Sequence, residues 1–432
     1  MGKFKCTAAG DAMVFKRFAG EYEGFNDLRD FIGQGDFRFL NLETTVHNFE
    51  TYGAALSGGS WFCTEPEVVN DMHKYNFNIL TTANNHSHDY GIEGLLLTLK
   101  YVKECGFPCA GTGKTLADAS GPVYLDTPSG RYALIAGCSS FTADMMAGEQ
   151  TRLMEGRPGI NGITCKTLYQ VTEEEFSQLE KIAEGTAING ADDIIRKEGY
   201  LPPLPEGRFV FGGLEFEKAE KTGKRTYPLA RDMERTVKAI EEARFFADYV
   251  IISIHSHQIK NILKEEPSEF LEIFSRACID AGADAVIGTG PHLIRPVEIY
   301  KGKPIFYSLG DFFLENETMK KVPAGMFEKQ KLTGNENMRD MYELRSNHGK
   351  RGLYYSKVMF EAFVPYWEAD ENGNVTKIDL LPVELGYGKP QSQGGVPAPA
   401  FDKGILERLA QMSKSYGTEI TIDENGIGHV VL

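Results

Sequence analysis

A chain of 432 residues with 42% hydrophobic content holds enough apolar material for a large core, so any metal it binds is expected to be functional rather than needed for folding. Its 61 acidic residues outnumber 46 lysines and arginines, and the formal net charge of -15 argues against nonspecific binding to nucleic acid or to an anionic membrane face. The seven cysteines are scattered without a Cys-x-x-Cys pair, which excludes a disulfide framework or zinc knuckle and fits a reducing compartment. The first ten residues carry no charged segment followed by an apolar stretch, and no later window approaches the ~18 apolar residues of a membrane span. The sequence as it stands therefore reads as cytoplasmic, with membrane association expected only if an N-terminal anchor had been trimmed.

Short β-branched or aromatic runs at 3–8, 37–40, 78–82 and 131–137 alternate with helical stretches, an α/β pattern. After the turn at Gly91, residues 94–102 have helical spacing, stop at Gly106 and lead into a short strand at 107–110. Residues 141–228 lose the periodicity apart from an acidic helix at 172–185, and read as an insertion over the core. The alternation resumes with a helix at 232–247, a strand at 249–255, a helix at 268–281 and strands at 285–288 and 304–308. Residues 315–351 are charged and irregular, a second insertion or mobile lid. Strands at 355–364 and 375–383 flank an Asp-Glu-Asn-Gly turn, a hairpin signal, and residues 386–432 form a C-terminal extension with a loose Gly- and Pro-rich link to a final helix at 403–415.

Metal-capable residues recur where the short strands are expected to end, which is where open α/β sheets put their active sites. Asp11 follows residues 7–10; Glu43 follows 39–42; Asn84, Asn85 and His86 follow 79–83; His255 and His257 follow 250–254; His292 follows 285–288 and a Gly-Pro turn. Taken singly, these are turn residues, a solvated carboxylate and surface histidines. Taken together, carboxylate, amide and imidazole donors suit Zn, Mn or Fe, and a carboxylate can bridge two such ions, so two divalent metal ions are expected. Asp89 either orients His86 or caps the following helix. For an anionic substrate the candidates are Lys114, Arg295 and Asn84, with a structural salt bridge as the alternative for Arg295. Pro108 stands where a P-loop needs its first glycine, which sets ATP binding aside.

The segments Gly10-Asp11, Asn41-Leu42-Glu43-Thr44, Ala83-Asn84-Asn85-His86-Ser87-His88-Asp89-Tyr90-Gly91, Pro291-His292 and Tyr307-Ser308-Leu309-Gly310-Asp311-Phe312 resemble the ordered motifs of the CapA family of bacterial poly-γ-glutamate capsule proteins, itself similar in fold to the calcineurin-like metallophosphoesterases. The resemblance covers residues 4–140 and 235–385. It implies one domain over 1–432, a four-layer αββα sandwich of the metallo-dependent phosphatase type, with the site at one end of the sheets. It also implies Asp11 as a terminal metal ligand, Glu43 as the bridging carboxylate, Asn85 as an amide ligand, and His255 and His292 as imidazole donors. His86, His292 and Asp89 become the catalytic candidates, with His86 protonating the leaving group. Three positions depart from the pattern: Met13 replaces a histidine, Gly290 replaces another, and Asp311 stands where the family usually shows asparagine. His257 either compensates for a lost imidazole or points away.

The function implied is a metal-dependent hydrolase of a phosphoester, or of an amide in an anionic peptide-like substrate such as poly-γ-glutamate, with no nucleic-acid partner. Two alternatives remain at this point: a metal-dependent epimerase of an amino-acid or peptide carboxylate, and a noncatalytic polyglutamate-binding assembly protein.

Overall fold

In the computed structural model, which describes residues 3–432, the apolar runs become the parallel strands Phe4–Met13, Phe37–Leu42, Ile79–Thr81 and Cys109–Ala110, adjacent in that order. These strands are apolar on both faces because both faces are covered. Phe4, Cys6, Ala8, Phe37, Phe39 and Ile79 enter a core shared with a second sheet, whereas Ala9, Leu40, Leu42 and Leu80 pack on the outside beneath helices. On the other side of Phe4–Met13 the sheet continues antiparallel through Glu361–Ala369, Val375–Glu384, Gly428–Val431 and Glu419–Ile422. Two short strands, Asp311–Leu314 and Ala398–Pro399, complete ten.

The second sheet has six strands in the order Ile294–Tyr300, Lys303–Leu309, Ala285–Thr289, Tyr249–His255, Gly130–Cys138 and Val123–Thr127, with the middle four parallel. Its outer face is covered by helices Ala230–Phe246 and Glu269–Asp280, and the outer face of the ten-stranded sheet by Phe25–Ile32 and Pro66–Asn70. The result is the four-layer αββα sandwich expected. Among the described residues no helix is long and apolar enough to cross a membrane.

The segments outside the core pattern differ from expectation. Residues 141–228 contain, besides the expected helix Glu173–Thr186 with its Thr172/Glu175 capping box, a four-stranded sheet of Cys165–Val171, Arg208–Phe211, Leu214–Lys218 and Gly223–Pro228. Its hairpin turns at Gly212 and Gly213, both at positive φ, a pairing that the right-handed twist of two-residue hairpins favours. Residues 315–351 do not hang free as a lid. Met319, Met326, Phe327, Met341 and Tyr342 bury into the core around Trp61 and Phe62, fixing the helices Ala324–Glu328 and Met338–Arg345 over the strand ends. Residues 386–432 are no peripheral extension, since Ala398–Pro399 and the hairpin Glu419–Ile422/Gly428–Val431 are strands of the main sheet. The strand expected from residue 355, which pairs with Val375–Glu384, begins only at Glu361, because 353–355 and 357–360 are helical turns.

Candidate metal centre

The parallel strands of both sheets end at the same edge of the sandwich, and their last residues converge there. Phe4–Met13 bulges between Ala9 and Asp11, which sets Asp11 opposite Asn41 on one neighbour and Asp311 on the other. The bulge needs glycine twice. A Cβ on Gly10 would lie 1.7 Å from the Gly310 carbonyl oxygen, and Gly310 itself sits at φ +79°. Asp11 is fully buried; its Oδ1 accepts from Asn41 Nδ2 and its Oδ2 accepts from the Gly290 N–H at 2.7 Å. Burial would raise the Asp11 carboxyl, but His255, His292 and Asn41 hold it below its ordinary value.

Glu43 is the unusual member. It has no exposure, and neither carboxylate oxygen has a hydrogen-bond partner. Around it stand His255 Nε2 at 3.7 Å and His86 Nε2 at 3.9 Å from Oε1, and His292 Nδ1 at 4.0 Å from Oε2. Burial and the like charges of Asp11, Asp311 and Asp89 push its carboxyl well above the usual range. Asp311 repeats the pattern on a smaller scale: Oδ1 meets His292 Nδ1 at 2.9 Å, Oδ2 has no partner, and burial raises the carboxyl to about 6. Three buried carboxylates, three of their oxygens unpartnered, leave a deficit of positive charge that divalent cations would offset. Among the described residues, Asp11, Glu43, His292 and Asp311 can each bring one donor atom within 4.8 Å of all the others, as can Glu43, His257 and His292. Glu43 and His292 belong to both sets. His292 is held at φ +57°, a left-handed backbone sparsely populated by non-glycine residues and concentrated at functional sites.

Asn85 Oδ1 lies 2.7 Å from His255 Nε2 and 3.2 Å from His257 Nε2, while its Nδ2 donates to the Gly58 carbonyl at 3.0 Å. His257 thus faces the cluster, its ring 5.2 Å from that of His292. Burial, then His255, pushes its imidazole well below the ordinary value. His86 Nδ1 meets Asp89 Oδ2 at 2.6 Å, and its ring stacks on Phe62 at 3.9 Å between centroids. Asp89 also accepts from the N–H groups of Gly58 at 2.8 Å and Phe62 at 2.7 Å, so it orients His86 and pins the 58–62 loop rather than capping the next helix, whose N-terminus has no side-chain cap. Gly290, at φ +115°, has Ser256 N only 2.8 Å from where a Cβ would stand. A histidine there has no room, which accounts physically for one departure from the family pattern. Met13, the other lost imidazole, lines the cavity over the cluster.

The three substrate candidates are corrected by the structure. Asn84 is fully buried, its Nδ2 donating to the Leu42 carbonyl and its Oδ1 accepting from the His86 N–H, so it shapes the loop and offers nothing to a ligand. Arg295 is likewise fully buried and donates to the carbonyls of Lys264 and Gln258. Lys114 is exposed and does not line the cavity. That cavity, about 500 Å³, opens on His86, His257 and His292 and is walled by Phe62, Lys264, Asn316, Glu317 and Arg345. The cationic residues that do line it were missed because Arg345 and Arg351 lie in the segment read as an irregular insertion and Lys264 follows no strand end.

Residues 5–316 match the family described as bacterial capsule synthesis protein PGA_cap. The chain is 31% identical to the uncharacterized protein y4sH of Sinorhizobium fredii, over 98% of this chain and 92% of that one. It is 23% identical to the capsule biosynthesis protein CapA of Bacillus anthracis (72% of this chain, 60% of that one) and 26% identical to the PGA biosynthesis protein CapA of Bacillus subtilis (58% and 46%).

Proposed function

Since this chain belongs to the PGA_cap family of bacterial capsule synthesis proteins, we propose that it is a metal-dependent hydrolase acting on a phosphoester or on an amide of an anionic, peptide-like substrate such as poly-γ-glutamate. The observation that carries this reading is Glu43, whose two buried, unpartnered oxygens are ringed by three imidazoles within 4.0 Å. The donor set of Asp11, Glu43, Asn85, His255, His257, His292 and Asp311 suits one or two ions of Mn, Fe or Zn. Such ions supply electrophilic polarisation of the scissile group and a water that loses its proton near neutral pH.

The chain's own residues do the rest. Asp89 fixes the His86 ring so that Nδ1–H is committed to the carboxylate and Nε2 faces Glu43 and the cavity. In that orientation the doubly protonated ring gives its Nε2–H proton to the departing oxygen or nitrogen and is left as the neutral imidazole with Nδ1–H on Asp89. Stacking on Phe62 restrains the ring plane, and the Gly58 and Phe62 amides keep Asp89 itself from rotating. Asn41 and the Gly290 amide hold Asp11 toward the cluster.

The test is metal content by plasma mass spectrometry of the purified protein and of folded Asp11→Ala and Glu43→Ala variants. One to two equivalents of Mn, Fe or Zn, lost in both variants, are expected; retention in both would sink the proposal.

A further inference from the structure

Resting on the reading of the cluster as a metal centre, we propose that Arg295 is a positioning residue for it. Its buried guanidinium clamps both arms of the 256–267 ribbon from beneath and so holds the His257 imidazole toward Glu43 and His292.

His257 needs such support more than the other imidazole donors do. His255 closes the strand Tyr249–His255, where it pairs with Thr289 and Cys138 on its two neighbours. His257 lies two residues past that strand end, outside any ladder. The chain then enters a two-stranded ribbon, Ile259–Lys260 with Leu263–Pro267, whose register is irregular and whose tip turns at Asn261 with φ +51°. At the tip Ile262 is 90% exposed and Leu263 48%, so the ribbon covers little of its own apolar surface. A two-stranded ribbon alone is marginally stable at best in water.

Arg295 supplies the missing constraint. It stands on the strand Ile294–Tyr300 of the six-stranded sheet and has no exposure, and its guanidinium bonds to no carboxylate among the described residues. Its donors go to backbone carbonyls of the ribbon segment instead: Nη2 to Gln258 at 2.9 Å, Nε to Lys264 at 3.0 Å and Nη1 to Ser256 at 3.5 Å. Gln258 and Lys264 lie on opposite arms, so one planar group ties the arms together. Ser256 and Gln258 flank His257, so the backbone is held on both its sides. From the other side the His257 N–H donates to Ser140 Oγ, and Gln258 Oε1 accepts from Ser139 Oγ, but neither bond reaches the far arm. The imidazole so placed has Nε2 3.1 Å from His255 Nε2 and 3.2 Å from Asn85 Oδ1, and it belongs to the donor set of Glu43, His257 and His292.

A buried cation without a carboxylate costs free energy that an apolar side chain of similar volume would not. What the guanidinium offers in return is geometry: three nitrogens in one rigid plane span carbonyls that a lysine, with its single nitrogen, cannot span in the same way.

The experiment titrates chelated protein with Co²⁺, read by the visible absorption of the bound ion, and follows amide hydrogen exchange of the same metal-free proteins. The variants are Arg295→Gln, Arg295→Lys, His257→Gln and the doubles that combine each Arg295 change with His257→Gln. Arg295→Gln should weaken Co²⁺ binding by roughly 10–100-fold, the usual cost of losing a partner that orients a ligand, and should shift the absorption as His257→Gln does. It should add nothing in the double variant, because both changes act through one imidazole. Arg295→Lys, which keeps the charge and loses the fork, should recover only part of the affinity. Exchange over 256–267 should quicken in Arg295→Gln while Tyr249–His255 and Ala285–Thr289 exchange as in wild type. Losses that add in the double variant, full recovery by lysine, or exchange that quickens across the whole six-stranded sheet would each overturn the positioning role. Should Arg295→Gln not fold, Arg295→Lys and its double carry the same comparison. Absence of Co²⁺ binding by wild type would sink the metal reading; the exchange data, taken without metal, would still decide the clamp, which selective quickening over 256–267 upholds and unchanged exchange overturns.

Discussion

Replacing Glu43 by Gln should stabilise the metal-free protein and destabilise the metal-loaded one relative to wild type. The side chain keeps its shape, so no cavity opens. What changes is ionisation: without metal the Glu43 carboxyl, pressed by Asp11, Asp311 and Asp89, must stay charged without a partner or take up a proton, whereas the amide is neutral at no such cost and its N–H groups can donate to those carboxylates. Leaving a buried polar group unsatisfied costs about 1–3 kcal/mol, so the variant should gain that much in chelator. For a chain of this size that corresponds to roughly 1–2 °C in Tm per kcal/mol, extrapolated from smaller domains. With metal at 100 times its Kd, wild type gains about 2.7 kcal/mol and the variant, which lacks the anionic ligand, gains little. Scanning calorimetry of both proteins, in EDTA and in a Mn or Zn series, should therefore show the order of Tm values reversing. A variant that is less stable than wild type in EDTA, by the same margin as with metal, would mean that the Glu43 carboxylate is satisfied within the protein and would refute the argument.

Removing the imidazole in His86→Gln should lower kcat by about 10²–10⁴-fold on a chromogenic phosphoester or γ-glutamyl anilide while metal content stays at the wild-type level, since the residue is assigned to proton transfer. Gly290→Ala should cost about 1–3 kcal/mol in urea unfolding and lower metal content, because the φ of +115° and the Ser256 backbone 2.8 Å from the new Cβ both resist it. Asp71→Asn should destabilise by about 1–2 kcal/mol at pH 7, allowing for screening around the half-exposed Arg17. Burial alone would raise the Asp71 carboxyl, but bonds from Arg17, Lys74 and the Phe18 N–H hold it down to about 2. A folded-state pKa below the unfolded one gives stability that is present at neutral pH and fades as pH falls toward 2. The gap between Asp71→Asn and wild type should therefore shrink in acid, and a constant gap would refute the pairing.

The parallel core was legible because its strands are short, apolar on both faces and bounded by glycines, a pattern that has few competing readings. Strand 249–255 was read with the bounds it has. The strands of the inserted sheet were not legible. Leu214–Lys218 and Gly223–Pro228 carry charged residues at half-buried positions as well as exposed ones, so no apolar alternation shows, and only the Gly212-Gly213 turn marks the pairing. Ile294–Tyr300 was missed for a related reason: its fully buried Arg295 reads as a surface cation until the carbonyls that bond its guanidinium are known. Met338–Arg345 hides its burial too, since its charged face outweighs Met341 and Tyr342, which are the residues that anchor it.

The metal-capable residues and the cationic wall differ in legibility for a topological reason. Strand ends of a parallel sheet lie together by construction, so Asp11, Glu43, Asn85, His255 and His292 could be gathered from sequence by position alone. Lys264 and Arg345 reach the same space by different routes, one from a two-stranded ribbon beside the six-stranded sheet and one from a helix about 80 residues later, and no sequence spacing relates them. Asn84 shows the converse error. It adjoins two residues that face the cluster, but the turn that aims Asn85 and His86 into the site does so by spending the Asn84 side chain on Leu42 and on the His86 amide. Adjacent positions in a tight turn point in different directions, and the residue that builds the turn is the one least able to serve a ligand. An Asn84→Ala variant should therefore behave as a folding mutant, losing stability in urea unfolding and metal content together.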